Sequence, residues 1–109
     1  MLQCPIDQLF HALADPTRRD IVETLAREAP CSVSRLAQRY PMTLSAVGQH
    51  LRVLEASGLV ATVKLGRTRT CRLSSDALDQ LDSWVATRRS MLEGRLDRLE
   101  AYLAKGTET

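Results

Sequence analysis

The chain has 109 residues, 44% of them hydrophobic, and a formal net charge of only +2 at pH 7. This length suits one compact domain spanning residues 1–109, and the apolar content can fill its core. No apolar run approaches the roughly 18 residues of a membrane span, and the first ten residues lack the layout of a secretory signal. We therefore expect a cytoplasmic protein that has no membrane partner.

Positive charge is concentrated in the middle of the sequence. Residues 34–73 carry seven Lys or Arg residues against one acid, Glu55, and have a net charge of +6, whereas residues 1–33 and 75–109 each have a net charge of −2. A basic region between acidic flanks indicates a polyanionic partner. None of the four aromatic residues lies between Lys64 and Arg72, which disfavours base stacking on single strands and favours double-stranded DNA.

The first helical region, from Ile6 to Ala26, is interrupted at Asp15 and Pro16. Apolar residues recur at helical spacing on both sides of this break, which predicts two helices. Asp15 can cap the second helix through its side chain. Pro16 suits the first helical position, because the missing N–H costs nothing there.

Residues 34–57 have the pattern of two short helices joined by a tight turn, a helix-turn-helix. Ser32 or Ser34 can cap the first helix, which carries apolar residues as far as Tyr40 and which Pro41 ends, because the residue before a proline is pushed out of the helical region. Thr43 can cap the second helix. Gly58 supplies its C-terminal stop.

The second of these helices has a small and polar outer face. At about 100° per residue, Ser45, Ala46 and Gln49 fall opposite the apolar side, with His50 and Arg52 on the two flanks. Such a helix can lie in the major groove of DNA, where small residues let the backbone approach the bases and Gln49 can pair with adenine. His50 could equally be a core or capping residue.

Residues 59–73 change to strand-like content, with two β-branched runs on either side of a glycine turn, and predict a hairpin, or wing. The basic residues on this ribbon can reach DNA phosphates or the minor groove and fix the position of the protein on the duplex. They are Lys64, Arg67, Arg69 and Arg72. The alternative is ordinary solvated charge on an edge strand. The domain would then be a winged-helix protein-interaction module.

Residues 75–104 predict one long helix whose apolar residues would form an exposed stripe on so small a protein. Such a stripe indicates a partner, and a second copy of the chain is the simplest one. A two-fold dimer would place two DNA-reading helices about one turn of DNA apart, roughly 34 Å, and would match an inverted repeat.

Several motifs follow one another in a recognisable order. They are Ala12-Leu13-Ala14-Asp15-Pro16-Thr17-Arg18-Arg19 with Ile21-Val22, Leu36-Ala37, Ser45-Ala46-Val47, His50-Leu51-Arg52-Val53-Leu54, and Gly58-Leu59-Val60 leading into Gly66-Arg67. Together they resemble the ArsR/SmtB family of bacterial winged-helix transcriptional repressors. The resemblance implies a homodimer built from the first and last helices, which binds an imperfect inverted repeat and usually represses its own operon.

The expected fold is therefore mainly α with a small β-hairpin, a winged helix-turn-helix that dimerises through its terminal helices. The residue pattern and the resemblance together assign DNA binding to Thr43, Ser45, Ala46, Gln49, His50, Arg52, Lys64, Arg67 and Arg69. They assign the dimer interface to Leu9, Leu81, Trp84, Val85, Leu92, Leu96 and Leu99.

The sequence departs from the metal-sensing members of the family it resembles. Sensors of the arsenic and cadmium type open the first helix of the helix-turn-helix with Cys-Val-Cys, where this chain has Ser32-Val33-Ser34, and residues 75–109 contain no histidine or cysteine for a zinc-type site. We expect no metal or other cofactor. The alternative is a repressor that responds to arsenite, another thiophilic metal or an oxidant through Cys4 and Cys31.

No nucleophile paired with a base, no carboxylate pair and no phosphate-binding glycine loop can be recognised in the sequence. We therefore expect a binding protein without catalytic activity.

Overall fold

The computed structural model describes residues 5–106 and confirms a mainly helical chain with a small antiparallel sheet. Its elements are α1 (Pro5–Leu13), α2 (Pro16–Glu28), β1 (Cys31–Ser32), α3 (Val33–Ala37), α4 (Leu44–Ser57), β2 (Val60–Leu65), β3 (Thr68–Leu73) and α5 (Ser75–Gly106). The chain forms two compact units, one ending at Asp79 and the other beginning at Gln80. No described helix is both long enough and apolar enough to cross a membrane.

The break between α1 and α2 has the expected capping geometry. Asp15 is extended, with φ −94° and ψ 131°, and its carboxylate accepts a hydrogen bond of 3.0 Å from the Arg18 backbone N–H. This hydrogen bond, reinforced by the charge of the Arg18 guanidinium, holds the pKa of the Asp15 carboxyl below its usual value of 3.8, against the opposing effect of desolvation. Pro16 occupies the first turn of α2, as predicted.

The helix-turn-helix is also as predicted, except that α3 is shorter than its sequence pattern. Ser32 caps it by accepting from the Arg35 N–H at 3.2 Å, and the helix ends at Ala37. The backbone then forms tighter turns, in which the N–H groups of Arg39 and Tyr40 bond to carbonyls three residues earlier. Pro41 limits the length of α3 at its C-terminal end, because the chain must leave helical geometry before a proline.

Both ends of α4 are fixed by local hydrogen bonds. The Thr43 hydroxyl accepts from the Ala46 N–H at 3.1 Å, and Gly58 ends the helix with φ +85° while its N–H bonds back to the carbonyls of Leu54 and Glu55. A left-handed residue at this position favours glycine, because a side chain would be strained there. The bounds of α4 are therefore set by residues that neighbour it in the sequence.

A single aliphatic core orients α4 within the first unit. Its buried side chains come from both helices and strands: Leu9, Ala12, Ile21, Leu25, Leu36, Val47, Leu51, Leu54, Leu59, Val60 and Ala77. Leu9, which the sequence analysis assigns to a dimer interface, is 0% exposed and packs inside this core. Phe10, the next residue on α1, is 41% exposed.

The sheet has one more strand than the predicted hairpin. Strands β2 and β3 pair as expected, and β1 adds to the other edge of β3, giving the antiparallel order β1-β3-β2 with Cys31 opposite Cys71 and Ser32 opposite Thr70. Two residues are too few to show a strand periodicity, which is why the sequence did not predict β1. Because β1 runs directly into α3, this pairing connects the wing to the start of the helix-turn-helix.

The tip of the wing is a two-residue turn. Leu65 pairs with Thr68, which leaves Gly66 and Arg67 to reverse the chain. Gly66 has φ +62°, the left-handed conformation that short hairpin turns require at their first central position. The turn places the Arg67 side chain at the end of a rigid ribbon.

The cap of α2 can be tested with two substitutions. Asp15→Ala removes the acceptor, and we expect the free energy of unfolding at pH 7 to fall by about 1 kcal/mol. Since the pKa of Asp15 is lowered on folding, the stabilisation by its charge is present above pH 3.8 and is lost as the pH falls through the folded value. Urea titrations from neutral to acidic pH should therefore show a shrinking difference between Asp15→Ala and the unmodified protein.

Asp15→Asn provides the control, because it keeps a side-chain acceptor without the charge. It should retain most of the stability at pH 7. An Asn variant as unstable as the Ala variant would contradict the capping role.

Candidate nucleic-acid interface

A groove runs between the helix-turn-helix and the wing on the surface of the first unit. The helices form one wall, the wing forms the other, and the lining residues are Val33, Ser34, Leu44, Ser45, Gly48, Arg52, Arg67 and Arg69. Alternation along β3 places Arg69 on the same face as the buried Cys71, so its side chain extends towards the helices. Four of the predicted DNA-binding residues, Ser45, Arg52, Arg67 and Arg69, thus line one groove.

The three guanidinium groups in this groove are exposed and unpaired. Among residues 5–106, Arg52, Arg67 and Arg69 make neither a salt bridge nor a side-chain hydrogen bond. Arg39, by contrast, is paired with Glu28 on α2. Three cations that line one groove without a counter-charge raise the local positive potential, and a polyanion would relieve that potential.

The outward face of α4 lies beside the groove. Ser45 and Gln49 are exposed, and their side chains have no hydrogen-bond partner among the described residues. Ala46 is half-buried, and the Thr43 hydroxyl, although exposed, is occupied by the Ala46 N–H. Free polar groups are therefore available at Ser45 and Gln49, where the helix can present them to base edges.

His50 faces the junction of α1 and α2 and does not line the groove. Its Nδ1 lies 3.4 Å from Arg18 Nη1 and 3.9 Å from Asp15 Oδ2, and its side chain is 23% exposed. Arg18 also donates hydrogen bonds to the carbonyls of Ala12, at 2.7 Å, and His11, at 3.1 Å. Arg18 thereby links the end of α1 to α4, a role that sequence analysis missed because Arg18 belongs to the acidic flank.

The side chains of the other two basic residues of the wing, Lys64 and Arg72, lie on different faces of the sheet. Lys64 is exposed directly opposite Arg69 in the register of β2 and β3 and shares its face of the sheet, but it does not line the groove. Arg72 is exposed on the other face of β3, opposite Ala61. One face of the wing therefore presents basic side chains that can form a single contact surface together with α4.

The groove also contains residues that sequence reasoning did not assign to DNA binding, among them Ser34 at the start of α3 and Gly48 in the middle of α4. A glycine in the interior of an otherwise regular helix was the available signal, because it lowers helix stability without an evident local reason.

In the second unit, the apolar residues of α5 are largely exposed to solvent. The exposed fractions of Val85, Leu92, Leu96 and Leu99 are 44%, 57%, 54% and 54%. Leu81 and Trp84 are half-buried, and the Arg88 guanidinium lies 4.2 Å from the centre of the Trp84 ring.

Comparison with known proteins identifies the family. A family model described as a helix-turn-helix domain matches residues 13–63. The HTH-type transcriptional regulator Rv2034 of Mycobacterium tuberculosis is 43% identical over 75 residues, which cover 69% of this chain and 69% of that protein. The solved structure of an ArsR-like transcriptional regulator from Rhodococcus sp. RHA1 is 32% identical, with a TM-score of 0.82 over 93% of this chain and 92% of that one.

The chain belongs to the ArsR/SmtB family. It is a transcriptional regulator with a winged helix-turn-helix DNA-binding fold, in which α4 is the second helix of the helix-turn-helix and β2–β3 is the wing. The homodimeric winged helix-turn-helix domain Mb0332 of Mycobacterium bovis shares the fold, at 23% identity and a TM-score of 0.64 over 82% of each chain.

Cys31, one of the two cysteines that the sequence analysis considers as a pair, lies in β1 of this ArsR-family chain. Cys4 lies outside the described residues, and the cross-strand partner of Cys31 is Cys71. Both thiols are buried and free. Burial, together with the nearby charge of Glu55, raises the pKa of the Cys71 thiol from 9.0 to about 11. Within residues 5–106, no three His, Cys, Asp or Glu side chains lie together as a metal site would require.

A buried thiol with so high a pKa should react slowly. With a pKa of about 11, only about one Cys71 in a thousand is a thiolate at pH 8, and the thiolate is the reactive form. We expect iodoacetamide to label Cys71 far more slowly in the native protein than in urea, as measured by peptide mass spectrometry.

Raising the pH should increase native labelling steeply until the pH approaches the pKa. Equal labelling of Cys71 in native and unfolded protein at pH 8 would show an accessible, reactive thiol instead.

Proposed function

We propose that the protein is a homodimeric, sequence-specific transcriptional repressor, which acts in the cytoplasm by binding an inverted-repeat operator in double-stranded DNA. The observation that supports this most directly is the groove, where unpaired guanidinium groups of α4 and the wing lie beside the polar outer face of the recognition helix.

The two parts of the interface would perform different tasks. Gln49 presents an amide with both donor and acceptor groups, which can pair bidentately with adenine in the major groove. Arg67 and Arg69 carry charge on a rigid ribbon, and phosphate contacts of this kind give affinity and orientation without sequence information. The basic wing therefore supplies affinity, and the nearly uncharged helix face supplies specificity.

Self-association of α5 would provide the two-fold symmetry that an inverted repeat requires. Val85, Leu92 and Leu99 recur every seven residues, the spacing of apolar residues in a coiled-coil seam, and all three are substantially exposed. Leu96 broadens this row on its flank. An exposed apolar row of this length favours burial against a second copy, and the related domain Mb0332 is itself homodimeric.

Two substitutions separate affinity from specificity. Arg67→Ala should weaken binding to specific and random duplexes alike and should reduce the slope of log affinity against log salt by about 1. Gln49→Ala should lower discrimination at one base pair by about 1–3 kcal/mol and leave the salt slope unchanged. The specific duplex comes from binding-site selection on the purified protein, and fluorescence anisotropy across a salt series measures both quantities.

Arg72→Ala is the matched control, since it removes the same charge from the opposite face of β3. It should change the salt slope less than Arg67→Ala does. A selection that enriches no sequence would reject a sequence-specific repressor and favour a protein-interaction module, whereas enrichment without two-fold symmetry would reject the inverted repeat alone.

The dimer can be tested at the C-terminal end of the apolar row. Leu99→Glu would place a charge where two copies of α5 pack, and we expect sedimentation velocity to show a shift from dimer to monomer. Ala101→Glu introduces the same charge on the opposite, exposed face of α5 and should leave the dimer intact. A Leu99→Glu protein that sediments like the unmodified one would remove this row from the interface.

A further inference from the structure

Gly48 has no structural explanation within the protein itself. It lies in the interior of α4, where glycine destabilises a helix relative to alanine. Its backbone is helical, unlike that of Gly58 and Gly66, whose positive φ angles explain those glycines. A Cβ built on Gly48 meets no heavy atom within 4 Å, so no side chain of the protein needs the space.

The empty space beside Gly48 opens into the arginine groove. Gly48 lines the helical wall of this groove, with Ser45 one turn before it and Arg52 one turn after it. Arg67 and Arg69 form the opposite wall. The one residue of α4 that lacks a side chain therefore lines the same groove as three exposed cations that have no partner among the described residues.

A DNA duplex offers one component that fits this position. When a recognition helix lies in the major groove and a wing reaches towards the adjacent minor groove, the sugar-phosphate backbone between those two grooves passes between the helix and the wing. That backbone carries its charge on phosphate oxygens, for which a guanidinium is a well-matched donor.

We propose that Gly48 forms the floor of a phosphate-binding site, in which a backbone phosphate of the operator lies against the α4 backbone and is held by Arg52, Arg67 and Arg69. The proposal rests on the DNA-binding function proposed above and names the part of the duplex that enters the groove. Glycine suits this site because a methyl group would hold the phosphate away from the helix and lengthen its contacts with the arginines.

We expect one substitution, Gly48→Ala, to raise the stability of the protein and to lower its affinity for DNA. Gly48→Ala fills free space and improves helix propensity, so the urea midpoint of unfolding should rise. The same methyl group narrows the groove, so affinity for a random-sequence duplex should fall about fivefold or more at low salt, with a smaller salt slope. Random DNA is the appropriate probe, because a phosphate contact does not depend on base sequence.

Gly94→Ala is the matched control. Gly94 is also in a helix interior, and its added Cβ would make only an ordinary contact of 3.6 Å with the Arg98 side chain. This variant should gain stability without losing DNA affinity. Urea titration and fluorescence anisotropy on both variants and the unmodified protein measure the two effects side by side.

The outcomes separate this proposal from the function on which it rests. If the unmodified protein binds no duplex, the DNA-binding function fails. If it binds and Arg67→Ala weakens binding, but Gly48→Ala binds random DNA as tightly as the unmodified protein, the phosphate site is rejected. A Gly48→Ala protein that loses affinity for the selected operator alone would place a base at Gly48 and would also overturn the phosphate site, as would a lowered urea midpoint.

Discussion

The burial of one face of α4 is the constraint on which the candidate interface depends. Val47, Leu51 and Leu54 lie in the aliphatic core, and burial of each such side chain contributes about 1.5–3 kcal/mol. Because a helix is rigid, fixing these three residues also fixes the opposite face, which presents Ser45 and Gln49 to solvent. The direction in which α4 presents its polar face is therefore a consequence of packing on the opposite side of the helix.

Orientation of the helix alone would not define a groove, since the wing must also be held at a fixed distance from it. Pairing of β1 with β3 supplies that restraint, because β1 continues directly into α3. The Cys31 and Cys71 side chains lie buried at this junction, where small apolar groups allow close packing. The Cys71 thiol, whose pKa is raised to about 11, remains neutral at physiological pH. A neutral, buried thiol packs well but is a poor nucleophile.

The sequence predicts the features that depend on near neighbours. Asp15, Thr43 and Gly58 fix helix ends through hydrogen bonds to residues within a turn, and all three were recognisable from residue type and position. Features that depend on distant partners were not predicted. Leu9 has the helical spacing of an interface residue and of a core residue alike, and only the packing of α1 against its neighbours distinguishes them. The direction of His50 depends in the same way on Arg18, 32 positions earlier.

The groove illustrates a conflict between stability and binding. Arg52, Arg67 and Arg69 line one groove as like charges, without a partner between residues 5 and 106. Gly48 weakens α4, the helix that forms one wall of this groove. A nearby acid would remove the repulsion between the arginines, and an alanine at position 48 would remove the cost in helix stability. The acid would also neutralise the charge that the proposed phosphate site uses, and the alanine would fill its space. The arginines of this groove have no partner among the described residues, and their charge suits an anionic partner.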